Sequence, residues 1–136
     1  MKRSFLVFAG AGLGGVARWA AGLLVGSLLP GPFPWATFTV NVTGCLAMGG
    51  LLRIVQGRGG PAFGPRLFLM VGFLGGYTTF SSFGGEVDAL LRQGHPGLGI
   101  LYAAACVFSG PAAVWAGRAV VQRLERPAPL KEELSE

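Results

Sequence analysis

The residue types best suited to chemistry lie together in the stretch 75–83, which reads GGYTTFSSF. This stretch sits inside the apolar segment 67–85, which carries no charge and is long enough to cross a membrane. Two glycines and four Thr or Ser side chains at that depth suit a helix that breaks and presents backbone carbonyls and hydroxyls to an ion. Because irregular backbone inside a bilayer is tolerated only where protein or water covers it, the stretch predicts an ion site at a broken membrane helix.

Two pairs of side chains near this break have the spacing of one helix face. Thr37 and Asn41 are four residues apart, so Asn41 is placed to donate an amide N–H to an anion; hydrogen bonding between helices explains this pair equally well. Phe80 and Phe83 are three residues apart, and Ser82 adds a hydroxyl beside them. The positive edges of the two rings favour a small anion without a charge that would trap it, although buried phenylalanine most often serves packing.

Charged and polar residues further along the chain extend the candidate site. Arg18 lies within the first apolar segment, where it either snorkels to an interface or serves as a vestibule cation that attracts anions. Glu86 follows the break closely enough to be a candidate for the mouth of an ion path, whereas Asp88 is expected to be a solvated charge. Tyr102 and Ser109 are seven residues apart on one side of a helix. They form either a polar track or, separately, an interfacial tyrosine and a serine at a helix contact.

Nothing in this set of residues supports catalysis. The only histidine, His95, lies in a turn with no matching nucleophile, and the apolar segments hold no carboxylate pair or cluster of metal ligands. Cys45 and Cys106 are interpreted as small packing residues. The glycine run 10–15 matches a dinucleotide-binding fingerprint, but no acidic residue follows about 20 positions later, so helix packing is the preferred interpretation.

Four apolar helices must position these residues. Of the 136 residues, 51% are hydrophobic and only 12% are charged, and no charge lies in the intervals 19–52, 67–85 or 93–117. Helices are expected at about Ser4–Leu29, Trp35–Val55, Arg66–Arg92 and Leu98–Leu124. The sequence thus predicts an all-α integral membrane protein with four transmembrane helices, the third broken near Gly75–Thr79. Residues 1–124 would form this transmembrane channel domain, followed by a charged cytoplasmic tail at 125–136.

Glycine spacing predicts close contacts between these helices. Small residues four apart let helix backbones approach each other in a membrane. The glycines expected at such contacts are Gly10 with Gly14, Gly22 with Gly26, and Gly44, Gly49 and Gly50. Four helices packed so closely enclose little space, so we expect a pore to need a second copy of the subunit.

Three motifs together resemble the signatures of the Fluc (CrcB) fluoride channels. They are GGVAR at 14–18, TFTVNVTG at 37–44 and GFLGGYTTFSSF at 72–83, and the similarity extends over about residues 4–122. The third motif is long and specific. The resemblance implies four transmembrane helices per subunit, an antiparallel dimer with two fluoride pores, and passive export of fluoride from the cytoplasm.

The resemblance also implies roles for individual positions. A structural sodium ion at the dimer centre, which is not transported, is implied to be held by the backbone carbonyls of Gly75 and Thr78; hard cations prefer such oxygen ligands. The implied fluoride pathway comprises Asn41, Thr79, Phe80, Ser82, Phe83, Tyr102 and Ser109. We expect Arg18 and Glu86 at its vestibule or mouth.

The basic residues lie almost entirely on one side of the predicted bundle. One side collects Lys2, Arg3, Arg53, Arg58, Arg66, Arg118, Arg123, Arg126 and Lys131, and the other has only Arg92. Such a bias predicts cytoplasmic N- and C-termini in the plasma membrane, and basic residues that flank apolar segments argue against nucleic-acid binding. Because an antiparallel homodimer needs both orientations from one chain, we hypothesise pairing with an oppositely oriented homologous subunit.

Two other classes of function are weighed against a channel. A small exporter of organic cations would need a carboxylate in the membrane to bind its cargo, and the first apolar segment has none. A scaffold protein without transport predicts that replacing Asn41 by Asp, or Phe80 and Phe83 by Ile, leaves the cell phenotype unchanged.

Overall fold

The computed structural model describes residues 1–57 and 63–125, and it contains four helical spans long and apolar enough to cross a membrane. The helices are α1 (Lys2–Leu28), α2 (Trp35–Gln56), α3 (63–77), α4 (Phe80–Arg92) and α5 (Pro96–Leu124), and α3 and α4 together form the third span, Phe63–Arg92. The two described ranges contain no strand. The predicted all-α membrane protein with a broken third helix is therefore confirmed.

The limits of the spans differ from the predicted ones by a few residues. The third span begins at Phe63 and not at Arg66, and the fourth begins at Pro96 and not at Leu98. Proline suits the first helical position because the N–H it lacks would have no helical partner there. Of the predicted tail, residues 126–136 lie outside the described residues, so the division of the chain near 124 stays a prediction.

Helix α3 changes its winding along its length. It starts as an α-helix at Phe63–Arg66, widens to a π-helix over Leu67–Leu74, and returns to an α-helix at Gly75–Tyr77. Such wide turns are rare and are found mostly as short interruptions of α-helices. This π-helical stretch was not predicted from the sequence, since no simple spacing rule distinguishes it from an α-helix.

The bundle consists of two closely packed helix pairs, α1 with α3 and α2 with α5, and α4 packs on α5. Glycine makes both pairings possible. A Cβ on Gly14 would overlap the carbonyl oxygen of Phe73 in α3, and one on Gly49 would overlap the carbonyl oxygen of Val114 in α5. Contacts of this kind confirm the predicted packing roles of Gly14 and Gly49.

The same role is also confirmed for Gly10, which meets the backbone of α3, but it fails for a second predicted pair. A Cβ on Gly22 or Gly26 would meet no atom of residues 1–57 or 63–125 within 4 Å, so these two glycines make no close helix contact with the described part of the subunit. The prediction was wrong here because the spacing shows that a backbone can be approached, but not which side of the helix a neighbour occupies.

The break in the third span is narrower than predicted. Gly75–Tyr77 is helical, and the chain becomes extended only at Thr78 (φ −80°, ψ 158°) and Thr79 (φ −149°, ψ 121°). The two glycines therefore do not supply an unusual backbone conformation. Gly76 is needed for close packing, because a Cβ there would overlap the carbonyl oxygen of Ala11 in α1.

Side-chain contacts tie together the helix ends that carry most of the basic residues. Arg53 near the end of α2 forms an ion pair of 2.8 Å with Glu125 beyond α5, and Arg118 donates a 2.8 Å hydrogen bond to Gln56. Arg3 at the start of α1 lies 4.8 Å from the centre of the Phe63 ring at the start of the third span. Alternating helix directions place these contacts at one end of the bundle.

Candidate ion-binding site

Asn41 holds the break in the third span by pairing with the backbone of one residue. Its Nδ2 donates to the carbonyl oxygen of Thr79 at 2.9 Å, and its Oδ1 accepts from the Thr79 N–H at 2.8 Å. The side-chain amide thus replaces the partners that the N–H and the C=O of Thr79 would have in a continuous helix. A buried polar backbone group needs such a partner, so Asn41 in α2 stabilises the extended conformation at Thr79.

Two backbone N–H groups that would bond to carbonyl oxygens near the end of α3 in a continuous helix have other partners here. In a continuous helix the Thr79 N–H would bond to the carbonyl of Gly75, but here it donates to Asn41. The Ser82 N–H would likewise reach the Thr78 carbonyl, but it donates to Thr79 Oγ1 at 3.1 Å and so caps α4. Gly75 and Thr78, the two residues predicted to hold a cation, therefore carry carbonyls without these helical donors.

A cavity of about 260 Å³ lies beside the break, between α2, α4 and α5. It is lined by Asn41, Val42, Cys45, Thr78, Thr79, Phe80, Phe83, Cys106, Val107, Ser109 and Gly110. Five predicted pathway residues thus border one space: the amide of Asn41, the hydroxyls of Thr79 and Ser109, and the rings of Phe80 and Phe83. Within the described residues, the buried Ser109 Oγ has no hydrogen-bond partner, so it retains a donor for a bound species.

The aromatic rings form a continuous row from this cavity to the loop after α1. Phe80 and Phe83 have ring centres 5.3 Å apart, Phe83 lies 5.4 Å from Tyr102, and Tyr102 meets Phe33 edge to face at 5.3 Å. Phe80 is 83% exposed in the single subunit, whereas Tyr102 is fully buried. The two phenylalanines predicted to act together therefore do share a face, with Phe80 at its open edge.

Glu86 connects three helices through both of its carboxylate oxygens. Thr37 in α2 donates to Oε1 at 2.6 Å, and Tyr102 in α5 donates to Oε2 at 2.7 Å. Glu86 is half-buried, and Tyr102 does not border the cavity that contains Ser109. Tyr102 therefore lies outside the cavity that Ser109 borders and is joined to Glu86, and the polar track that was one of two interpretations of Tyr102 and Ser109 stays a prediction. Spacing along the chain gave no signal for this link between distant helices.

Arg18 borders a second, smaller cavity on another side of Thr79. This cavity measures about 130 Å³ and is lined by Arg18, Gly22, Ala36, Thr37, Val40, Thr79 and Ser82. Arg18 is half-buried, and no acidic side chain of the described residues forms an ion pair with it. A cation thus lies close to the hydroxyls of Thr37, Thr79 and Ser82, as a vestibule role requires.

Thr43 and Tyr77 form a further contact at the break that the sequence analysis missed. Their hydroxyl oxygens lie 3.0 Å apart, so α2 contacts the last residue of α3 through a hydrogen bond. Tyr77 also stacks on Phe73, with ring centres 6.0 Å apart. Helix α2 therefore contacts the break at two points: Thr43 bonds to Tyr77, the last helical residue before it, and Asn41 bonds to Thr79 within it.

These features define a multi-pass helical membrane protein in which a broken third span borders a polar and aromatic cavity. The family model described as "CrcB-like protein, Camphor Resistance (CrcB)" matches residues 5–118. The chain belongs to this family, which confirms the resemblance stated from its three motifs.

Several similar proteins carry the name "Fluoride-specific ion channel FluC". The one from Rhodospirillum centenum (strain ATCC 51521 / SW) is 45% identical over 122 residues, which cover 90% of this chain and 97% of the relative. The one from Paracoccus denitrificans (strain Pd 1222) is 43% identical over 121 residues, or 88% of this chain and 95% of the relative. The one from Beijerinckia indica subsp. indica is 41% identical over 126 residues, or 91% and 99%. Their name is that of a channel and not of an enzyme, in agreement with the prediction for this chain.

Proposed function

We propose that this chain is a subunit of a fluoride-selective channel that exports fluoride from the cytoplasm across the plasma membrane. The observation that carries the proposal is the cavity beside Thr79. It combines one amide, several hydroxyls and two phenylalanine rings, and no charged side chain is among the described residues that line it. The name shared by the similar proteins supports the same function.

Such a cavity suits a small anion that must both enter and leave. Fluoride gives up strong hydration, so the path has to supply hydrogen-bond donors, but a fixed positive charge inside it would hold the ion too tightly. The second N–H of the Asn41 amide, which has two, and the unpartnered Ser109 hydroxyl supply donors. The Phe80 and Phe83 ring edges supply weaker, uncharged stabilisation.

Arg18 attracts the anion before it enters this cavity. Its charge lies next to the second cavity, which shares Thr79 with the first. A cation in a site shielded from water raises the local concentration of anions. The hydroxyl of Ser82, which accepts a hydrogen bond from Thr79, then donates to the ion as it leaves bulk water.

The carbonyl oxygens of Gly75 and Thr78 fit a structural sodium ion. Both lack the helical donors that Thr79 and Ser82 would otherwise provide. Gly75 lies in the last turn of α3 and Thr78 directly follows that helix, whose C-terminal end has a negative dipole. Hard cations prefer such oxygen ligands. When bound, sodium would supply fixed positive charge at the break. Asn41 and the Thr79 hydroxyl accept hydrogen bonds from the Thr79 and Ser82 N–H groups, which therefore do not occupy the Gly75 and Thr78 carbonyls.

An antiparallel dimer completes this arrangement. Gly75 is exposed in the single subunit, and Phe80 is 83% exposed although it borders the cavity. Two carbonyls from one subunit leave a cation incompletely surrounded, so a second copy of the break must supply the rest. We propose that the partner covers Gly75 and Phe80, and that it is either the same chain inserted in the opposite direction or a homologous chain.

The charge bias favours the homologous chain, with both termini of this subunit in the cytoplasm. Arg3, Arg53 and Arg118 lie at one end of the bundle, and the opposite end has Arg92, which is paired with Asp88 at 2.7 Å. Cysteine or reporter mapping of the C-terminus in cells tests this. Equal populations facing the cytoplasm and the outside would exclude a fixed orientation and restore a homodimer.

Fluoride efflux from liposomes, recorded with a fluoride electrode, tests the channel itself. We expect efflux from vesicles that contain this chain, alone or with its partner, and we expect it to fall when sodium is removed during purification and replaced by N-methylglucamine. Vesicles loaded with chloride serve as the selectivity control. Absence of fluoride efflux with this chain alone and with the partner would exclude the channel.

A further inference from the structure

The two cysteines, interpreted from sequence as packing residues, both border the cavity beside the break. Cys45 belongs to α2 and Cys106 to α5, and neither forms a disulfide within the described residues. The Cys45 sulfur lies 3.7 Å from the point where a Cβ on Gly110 would stand. Cys106 precedes Gly110 by one helical turn on the same face of α5. Cys45 and Cys106 therefore border one space from two helices.

The chemistry of this pair differs from that of the rest of the cavity. Thiols select soft cations such as Cu⁺ and, by the same softness, Ag⁺ and Hg²⁺, whereas amide and hydroxyl oxygens do not. No carboxylate or imidazole is present among the described residues that line the cavity, so hard divalent cations find no charged ligand there.

We propose that Cys45 and Cys106 form a two-thiol site for a soft, thiophilic cation, and that its occupation closes the cavity. Binding breaks two S–H bonds and forms two metal–sulfur bonds. The two protons pass to water, and the metal gives up two of its previous ligands, which are chloride ions when the probe is mercuric chloride, without any change of oxidation state. The closing of the path rests on the proposed function, since it matters only if fluoride crosses this cavity.

Thiol counting on the purified full-length chain tests the site without any transport assay. The probe is mercuric chloride, a neutral molecule that enters lipid, and the remaining thiols are counted with a chromogenic disulfide reagent. We expect one equivalent of mercury to consume both thiols of the subunit, because the chain has only these two cysteines. Consumption of one thiol per mercury would overturn the two-thiol site.

The single variants C45S and C106S sharpen this result. Each keeps one thiol, so mercury bound to either variant should be removed by a lower concentration of competing glutathione than mercury bound to the unchanged chain. Equal resistance to glutathione in all three proteins would also overturn the shared site. The double variant C45S/C106S has no thiol and should bind no mercury. It is the control for mercury that binds to groups other than thiols.

Fluoride efflux from liposomes then tests the closing of the path. We expect mercury to stop efflux through the unchanged chain, dithiothreitol to restore it, and C45S/C106S to keep its own rate with or without mercury. Bridged thiols with undiminished efflux would overturn the closing but not the site. Absence of efflux from every preparation would instead reject the proposed function, while the thiol count still decides whether the site exists.

Discussion

The two halves of the third span differ in packing, although only Thr78 and Thr79 separate them. Helix α3 lies so close to α1 that a Cβ on Gly76 would overlap a backbone carbonyl of α1. In α4, a Cβ on Gly84 or Gly85 would meet no atom within 4 Å, and Phe80 is largely exposed. One half is therefore fixed by backbone contact, and the other presents open surface.

The difference in packing suggests different roles for the two helices. Helix α3 fixes the position of backbone carbonyls, and, in the proposed channel, α4 contributes side chains that contact the transported ion. Close backbone packing is rigid, so α3 is suited to keep its terminal carbonyls in one place. Helix α4 contributes Phe80 and Phe83 to the first cavity and Ser82 to the second, and its exposed face is available to a partner subunit. Changes in the α1–α3 contact should therefore reduce stability, whereas changes on α4 should reduce fluoride flux and leave the fold intact.

The largest effect on stability is expected for Gly14→Ala. The added methyl would overlap the carbonyl oxygen of Phe73, a backbone atom that cannot rotate away. Overpacking of this kind costs about 3 kcal/mol, at the upper end of its usual range. Thermal unfolding in detergent, followed by tryptophan fluorescence, should show a clear fall in Tm.

Gly22→Ala in the same helix is the matched control. Its Cβ would meet no atom within 4 Å, so the Tm of the subunit should be unchanged or slightly higher. Equal Tm losses in both variants would mean that the α1–α3 contact is not what fixes this half of the span.

The next largest effect is expected for Asn41→Leu, which removes both hydrogen bonds to the Thr79 peptide. Leaving this buried peptide without partners should cost about 2 kcal/mol of stability. The Thr79 N–H would then be free to bond to Gly75, so fluoride efflux and its dependence on sodium should both be lost. Parallel measurement of Tm and sodium-dependent efflux checks this.

Thr43→Val is the matched control on α2. It removes the hydrogen bond to Tyr77 but leaves the Thr79 peptide paired with Asn41. We expect its sodium dependence to persist. A variant of Asn41 that keeps sodium-dependent efflux would show that the break does not need this amide.

The break in the third span shows which structural features could be predicted from the sequence and which could not. The apolar span and its polar interruption were readable, because length and composition determine them. The glycines suggested irregular backbone at 75–76, but both are helical, Gly76 is needed for close packing on α1, and the extended residues are the two threonines. The cause is the Asn41 side chain, 38 residues away in sequence, and a contact at that distance leaves no local spacing to read.

The placement of the candidate residues agrees in part with the predicted fluoride pathway, and their roles stay predictions. Asn41, Thr79, Phe80, Phe83 and Ser109 border one cavity, whereas Ser82 borders the second. The bond from Tyr102 to Glu86 could not be predicted, because it depends on how α4 and α5 face each other. The Gly22 and Gly26 pair was misjudged for the related reason that spacing on one helix does not reveal where its neighbours lie.

A smaller effect on stability, with a selective effect on flux, is expected for Phe83→Ile. The substitution keeps an apolar side chain but removes the ring edge at the cavity, so fluoride efflux should fall about tenfold, which corresponds to about 1.4 kcal/mol. The Tm should change little. Efflux rates normalised to the amount of reconstituted protein check this.

Phe108→Ile provides the comparison for this change. Phe108 is 76% exposed and does not border the cavity, so the same substitution should leave efflux unchanged. A matching loss of efflux at Phe108 would indicate a general effect of ring removal and not a role of the cavity-facing ring.

The smallest expected change in free energy, here a loss of stability, is that of Tyr102→Phe, because the substitution removes a single hydroxyl. The ring contacts with Phe33 and Phe83 are kept, and only the 2.7 Å hydrogen bond to Glu86 is lost. A hydrogen bond to a charged group contributes about 2 kcal/mol, but Thr37 still donates to the other carboxylate oxygen, so we expect the loss to be nearer about 1 kcal/mol.

A double-mutant cycle with Glu86→Gln separates this bond from the rest of Tyr102. If the hydroxyl acts through Glu86, the loss of Tm caused by Tyr102→Phe should shrink in the Glu86→Gln background, because a neutral amide accepts a weaker hydrogen bond than a carboxylate. Additive losses would show that the hydroxyl and the carboxylate act independently. In that case α4 would be held against α5 by ring packing alone, and the contrast between a fixed α3 and a weakly held α4 would become stronger.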